Sequence, residues 1–124
     1  MKIFLQHLRE KQLLLQSRIQ VGDTTLDKLM LSEHMPDRER VSSWNILAMH
    51  AELSELLEWT NWKLHKKTRV IYDKNRVHDM HIELIDILHY WMNLCIIWGL
   101  TPDEIIRIYE KKNTENHDRQ NRGY

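Results

Sequence analysis

The sequence predicts an all-α fold, a bundle of four helices, and two observations carry that prediction. Only three glycines and two prolines punctuate 124 residues, whereas the helix-favouring Leu, Ile, Glu, Lys and Gln are abundant. Apolar residues also recur at helical rather than alternating spacing along most of the chain. With 42% hydrophobic and 29% charged residues the chain is too apolar for disorder, and its length suits one domain spanning residues 1–124.

Phe4, Leu5, Leu8, Leu13, Leu15 and Ile19 mark a first amphipathic helix that ends near Gly22. From Asp23 to Ser43 the periodicity weakens, and Pro36 with the charged run Asp37-Arg38-Glu39-Arg40 interrupts it, so a loop with a short helix is expected. Ser42 or Ser43 can cap a second helix, whose apolar positions Ile46, Leu47, Leu53, Leu56 and Leu57 continue to about Trp62. A basic connection, Lys63 to Lys74, leads to a third helix from about Val77 to Trp98, stopped by Gly99. Thr101-Pro102-Asp103-Glu104 supplies a cap, a first-turn proline and a glutamate for a fourth helix.

Eighteen basic and eighteen acidic residues cancel, which removes any global attraction to nucleic acid or an anionic membrane. The single Cys95 has no internal disulfide partner, and a buried thiol points to the reducing cytoplasm. Charged residues break the apolar N-terminus too early for a signal peptide, and Asp86, His89 and Asn93 within the most hydrophobic stretch argue against a membrane span.

The chemistry concentrates in two acidic pairs. Glu52 and Glu55 on the second helix, and Glu83 and Asp86 on the third, are each three residues apart and so share a helical face. Both pairs sit in apolar surroundings expected to turn inward, where four carboxylates repel one another unless a cation compensates. A hard divalent ion fits, and Mg²⁺ leaves coordination positions for water and substrate phosphates. Cations that could meet phosphates follow at Lys63, Lys66 and Lys67 and at Lys111, Lys112, Arg119 and Arg122. His78 and His81 invite a zinc reading, but a third ligand at zinc-motif spacing is missing.

Glu52-Leu53-Ser54-Glu55-Leu56, Trp62-Lys63, and Glu83-Leu84-Ile85-Asp86-Ile87-Leu88-His89-Tyr90 resemble the all-α nucleotide pyrophosphohydrolases, which include the MazG-like proteins and the dimeric dUTPases. The run from Tyr109 to Tyr124, with Met92-Asn93 and the Gly99–Glu104 turn, resembles the T-even phage dCTPase-dUTPases most of all. The resemblance covers about Glu52 to Tyr124 well and the N-terminal third poorly.

It implies a four-helix-bundle-like core of the MazG and dimeric-dUTPase type, assembled as a homodimer or homotetramer. The implied reaction is Mg²⁺-dependent hydrolysis of dUTP or dCTP to the monophosphate and pyrophosphate, with Mn²⁺ as a substitute ion, in a bacterial or phage-infected cytoplasm. Glu52, Glu55, Glu83 and Asp86 match the metal ligands, and Glu55 is the choice for the residue that activates water. Lys112, Arg119 and Tyr124 match phosphate-contacting residues, joined by Lys63 and Lys66. Gln16, Asn93 and Asn116 match residues that contact base or sugar, and His89 supports the site from behind. Two other readings stand beside this one: a MazG-like housecleaning enzyme acting on other or damaged nucleotides, and a non-catalytic helical module that touches nucleic acid through its C-terminal tail.

Overall fold

The computed structural model describes residues 1–123, so Tyr124 lies outside it. The regular structure among the described residues is α-helical apart from one small hairpin. In order it forms α1 (Lys2–Gln16), strands β1 (Gln20–Val21) and β2 (Thr24–Thr25), α2 (Leu26–Met30), α3 (Met35–Glu58), α4 (Lys74–Ile97) and α5 (Pro102–Asn121). The all-α expectation holds, with the short helix of the uncertain segment present as α2.

α3 ends at Glu58 rather than about Trp62, and three other boundaries differ from expectation, each for a local reason. α1 stops at Gln16 rather than near Gly22, because Gly22, at φ +62°, turns the antiparallel β1–β2 pair instead of capping a helix. α3 begins at Met35 rather than Ser42, because Pro36 sits in its first turn, where its missing N–H costs nothing. α4 begins at Lys74 rather than Val77, since the Asp73 carboxylate accepts a 2.8 Å hydrogen bond from Arg76 N–H.

The C-terminus of α4 and the start of α5 follow the sequence reading. Gly99 lies at φ +68°, Leu100 N–H reaches Cys95 carbonyl at 2.8 Å and Gly99 N–H reaches Ile96 carbonyl at 3.2 Å, the double closure of a Schellman turn. Arg38 of α3 adds a second stop: its guanidinium donates from Nε to Ile97 carbonyl at 2.9 Å and from Nη2 to the same oxygen, and it stacks over Trp98 at 5.5 Å. Thr101 Oγ1 then accepts from Glu104 N–H, and the chain turns through 107° into α5. No single helix is long and apolar enough to cross a membrane.

The principal packing is α3 against α4, with α1 and α2 laid over one end of that pair. Leu5, Leu26, Leu29, Met30, Val41, Met92, Cys95, Ile96 and Ile97 form the core there. From residue 46 to residue 91 none is fully buried, so the far ends of α3 and α4 extend past α1 as a two-helix arm. Inside the core a chain of amides crosses three helices. Gln12 donates to Asn93 Oδ1 at 2.8 Å, Asn93 donates to Asn45 Oδ1 at 3.0 Å, and Asn45 donates to Val41 carbonyl at 2.7 Å. Every link is buried, so each amide would be costly to leave unpaired.

Candidate active site

The carboxylates meet on the arm. Asn45 on α3 is hydrogen-bonded to Asn93 on the antiparallel α4. Seven residues on from Asn45 stands Glu52, and seven back from Asn93 stands Asp86; three further steps each way give Glu55 and Glu83. Two helical turns carry both pairs to the same level and nearly the same face. Glu52, Glu55 and Glu83 each present an oxygen within 4.8 Å of the other two, the only such grouping of three potential metal ligands among the described residues.

The expected burial is only partly realised. Glu52, Glu83 and Asp86 are half-buried and Glu55 is exposed, because α1 ends before it can cover the arm. Yet Glu52 Oε2 and Glu83 Oε2 are sealed from solvent with no donor pointing at them. The Glu52 carboxyl is pushed from 4.5 up to about 7, first by the hydrogen bond its protonated form can make to Glu83, then by lost hydration, then by the charges of Glu55 and Asp86. Two acceptor oxygens facing each other without a donor need either a proton or a cation between them. An all-oxygen set of this size, part walled and part open, fits a hard divalent ion that keeps some of its own ligands.

Basic residues lie alongside. The turn after α3 closes over an open cavity of about 640 Å³ whose lining includes Glu58, Trp62, Lys63, Lys66 and Arg69. Glu58 also lines the shallow depression that holds Glu55 and Glu83, so the basic cavity and the acidic cluster adjoin. Lys63 and Lys66 therefore set positive charge directly beside the acidic cluster. Lys63 Nζ rests 5.2 Å above the Trp62 ring, which holds the ammonium without neutralising it.

The α5 residues fall elsewhere. α5 packs on α1 rather than α3, and from Arg107 to Asn121 every residue except Glu115 is exposed. At a rise of about 1.5 Å per residue and a 107° turn, Lys112 and Arg119 of the same chain stand on the order of 20–25 Å from Asp86. Lys112 instead pairs with Glu115 at 3.4 Å. Asn116 is exposed on the same helix. Tyr124, the remaining candidate of that run, lies outside the described residues.

Among the candidates for the base, Asn93 has its Oδ1 and Nδ2 both engaged in the amide chain, so here it braces helices. Gln16 is different: it is 5% exposed, and its Oε1 is sealed from solvent without a partner. One turn further on, Ile19 lines an apolar cavity of about 710 Å³ together with Val21, Leu26, Leu29, Val41 and Trp44. His89 points its side chain to solvent, and its carbonyl accepts from Gln12 at 3.1 Å. His78 and His81 are both exposed beside a shallow hollow and belong to no grouping of three ligands among the described residues.

Sequence reasoning passed over Tyr90. Its phenol is pushed upward by burial and by the charges of Glu52, Asp86 and Glu55, and its ring meets Trp44 edge-on at 6.3 Å. Tyr90 thus links the acidic cluster to the wall of the apolar cavity. Its position four residues after Asp86, one helical turn, was the available signal.

A family model described as dUTPase matches residues 5–98. The dCTP pyrophosphatase of Enterobacteria phage LZ5 is 38% identical over 71 residues, covering 53% of this chain and 41% of the relative. The dCTP pyrophosphatase of Enterobacteria phage T4 is 31% identical over 71 residues, covering 51% and 42%. The match thus spans about two-fifths of the length of these relatives. No solved structure matches. The family match takes in the N-terminal third, where little likeness was expected, and stops before α5, where the most was.

Proposed function

This chain belongs to the dUTPase family, and from that premise we propose that it hydrolyses dUTP or dCTP to the nucleoside monophosphate and pyrophosphate in a Mg²⁺-dependent reaction. The observation that carries the proposal is the convergence of Glu52, Glu55 and Glu83 oxygens within 4.8 Å, two carboxylate oxygens having no donor, beside a cavity lined by lysines. The family's name and those of the phage relatives support the two pyrimidine nucleotides as substrates.

Glu52, Glu55, Glu83 and Asp86 would hold the ion, which when bound neutralises phosphate oxygens and makes water more acidic. Lys63 and Lys66 fix the far end of the triphosphate by charge, which orients the α-phosphorus toward the acidic cluster. Glu55, the exposed carboxylate of the four, accepts the proton of the attacking water. The apolar cavity beyond Tyr90 receives the base, and Gln16, three residues before Ile19 of its lining, holds the unpartnered acceptor that would take the N3–H of uracil or the amino group of cytosine once uncovered.

A homo-oligomer completes this reading. The arm leaves Leu47, Leu53, Leu57, Ile82 and Ile85 between 43% and 68% exposed, apolar side chains that a second copy would cover. Since α5 of one chain stays away from its own acidic cluster, Lys112 and Arg119 serve the cluster of a neighbouring copy.

The test is pyrophosphate release from a panel of deoxynucleoside triphosphates with Mg²⁺, with EDTA, and with Glu83→Ala. Turnover of dUTP or dCTP that needs the metal and Glu83 is the expected result; turnover surviving EDTA or Glu83→Ala overturns the assignment. Mixing inactive Glu83→Ala with Lys112→Ala chains should restore activity where sites are shared, and failure of mixed oligomers to recover any activity refutes the shared arrangement.

A further inference from the structure

The basic turn between α3 and α4 is held shut at its neck by one side chain. Asn61 Oδ1 accepts from Val70 N–H at 2.7 Å, and Asn61 Nδ2 donates to Val70 carbonyl at 3.1 Å. Asn61 N–H is in turn taken up by the Tyr72 hydroxyl at 3.0 Å. An amide side chain here pairs with a backbone as a neighbouring strand would, so residues 62–69 are pinched into a closed loop. That loop carries Lys63, Lys66, Lys67 and Arg69 with Trp62, and it faces the cavity next to Glu55 and Glu58.

Four like charges within eight residues repel one another, and without the neck the loop would open to separate them. Its own internal support is slight: among the described residues, Lys66 N–H to Lys63 carbonyl at 3.1 Å is the one backbone–backbone hydrogen bond within positions 62–69. The neighbouring anchor, Arg76 Nη1 on Trp59 carbonyl at 2.9 Å, fixes the helix ends and leaves the loop itself untouched. The staple is therefore the element that determines whether the lysines converge.

We propose that Asn61 is a positioning residue whose two hydrogen bonds to Val70 hold the 62–69 loop in the closed form that receives a polyphosphate beside the acidic cluster. This rests on the pyrophosphohydrolase reading for its substrate, but the anion site can be measured without turnover. Asn61 lines the same cavity, but both polar atoms of its side chain are taken up by Val70, so it acts through Lys63, Lys66 and Arg69.

Inorganic tripolyphosphate with Mg²⁺ is the probe, titrated by calorimetry into the full-length wild type, Asn61→Ala and Asn61→Asp. Alongside, KM and kcat for dUTP and dCTP are measured, with thermal melts of each variant. Asn61→Ala should weaken tripolyphosphate binding and raise KM by about tenfold, with kcat within about twofold and the melting temperature unchanged within error. Asn61→Asp, which keeps the acceptor for Val70 N–H and loses the donor, should fall between the two. Tripolyphosphate affinity and KM unchanged in Asn61→Ala overturn the proposal, as does a loss confined to kcat and melting temperature. A wild type that turns over dUTP but binds no tripolyphosphate sinks the loop assignment alone. Asn61-dependent tripolyphosphate binding without turnover of any nucleotide sinks the catalytic reading and leaves this one standing.

Discussion

Replacing Glu52 by glutamine should make the metal-free protein more stable while removing its response to magnesium. Glu52, Glu55 and Glu83 present oxygens within 4.8 Å of one another. Two unit charges at that separation repel by about 3.5 kcal/mol at an effective dielectric of about 20. The cluster is open on its Glu55 side, so solvent screening reduces the relief from losing one charge to about 1–2 kcal/mol. A glutamine amide can also donate to the buried Glu83 oxygen that now has no donor. Because the Glu52 carboxyl is raised from 4.5 to about 7, the native protein binds more protons than the unfolded chain in that interval. Its contribution to stability is thus full below about pH 4.5 and lost as pH rises through about 7. Urea unfolding in EDTA should therefore show Glu52→Gln more stable than wild type at pH 8 and the two nearly equal at pH 4.5. Saturating Mg²⁺ should stabilise the wild type by about 2.7 kcal/mol at a hundredfold excess over Kd, and the variant far less. A Glu52→Gln protein that is less stable than wild type in EDTA at pH 8, or equally protected by Mg²⁺, would refute the repulsive-cluster account.

Gln16→Met should leave the fold as stable as before, since an orphaned acceptor is removed at constant size, yet lower kcat/KM for the preferred pyrimidine nucleotide by about ten- to a hundredfold; steady-state kinetics beside a urea melt checks both halves. Arg38→Met should destabilise by about 1–3 kcal/mol, because Ile97 carbonyl loses both guanidinium donors while the stem still covers Trp98; denaturant unfolding measures it. Cys95, buried and with its thiol pushed up to about 11, should react with a thiol-specific dye only at the rate of unfolding, and prompt labelling of native protein contradicts its placement.

Much of this was legible from residue spacing. Thr101-Pro102-Asp103-Glu104 and Gly99 gave the α4–α5 junction because capping chemistry is local, and the two acidic pairs were visible because i,i+3 spacing fixes a face. The start of α3 was missed because Pro36 reads as a breaker in a run and as a favourable residue in a first turn, and only the chain before it decides which. Carboxylate burial was overestimated because apolar neighbours such as Leu53, Leu57 and Ile85 implied a covered arm, while the stop of α1 at Gln16 leaves them half exposed. Asn93 was expected to contact the substrate from the family resemblance, whereas its amide is engaged by Gln12 and Asn45, partners too far away in sequence for any local pattern to reveal.

The amide chain from Gln12 through Asn93 to Asn45 acts as an alignment pin for everything built above it. Apolar packing alone tolerates α4 sliding along α3 by a turn, since one leucine or isoleucine replaces another at modest loss. A slip by a turn would break both bonds through Asn93 at once, leaving its buried amide unpaired and those of Gln12 and Asn45 each short of a partner. The pin therefore meters the distance to the carboxylates in whole turns, and deleting a single residue from α3 between Asn45 and Glu52 would swing Glu52 and Glu55 about 100° around the helix with the core still intact. The interior thus sets the register of a site that it never touches.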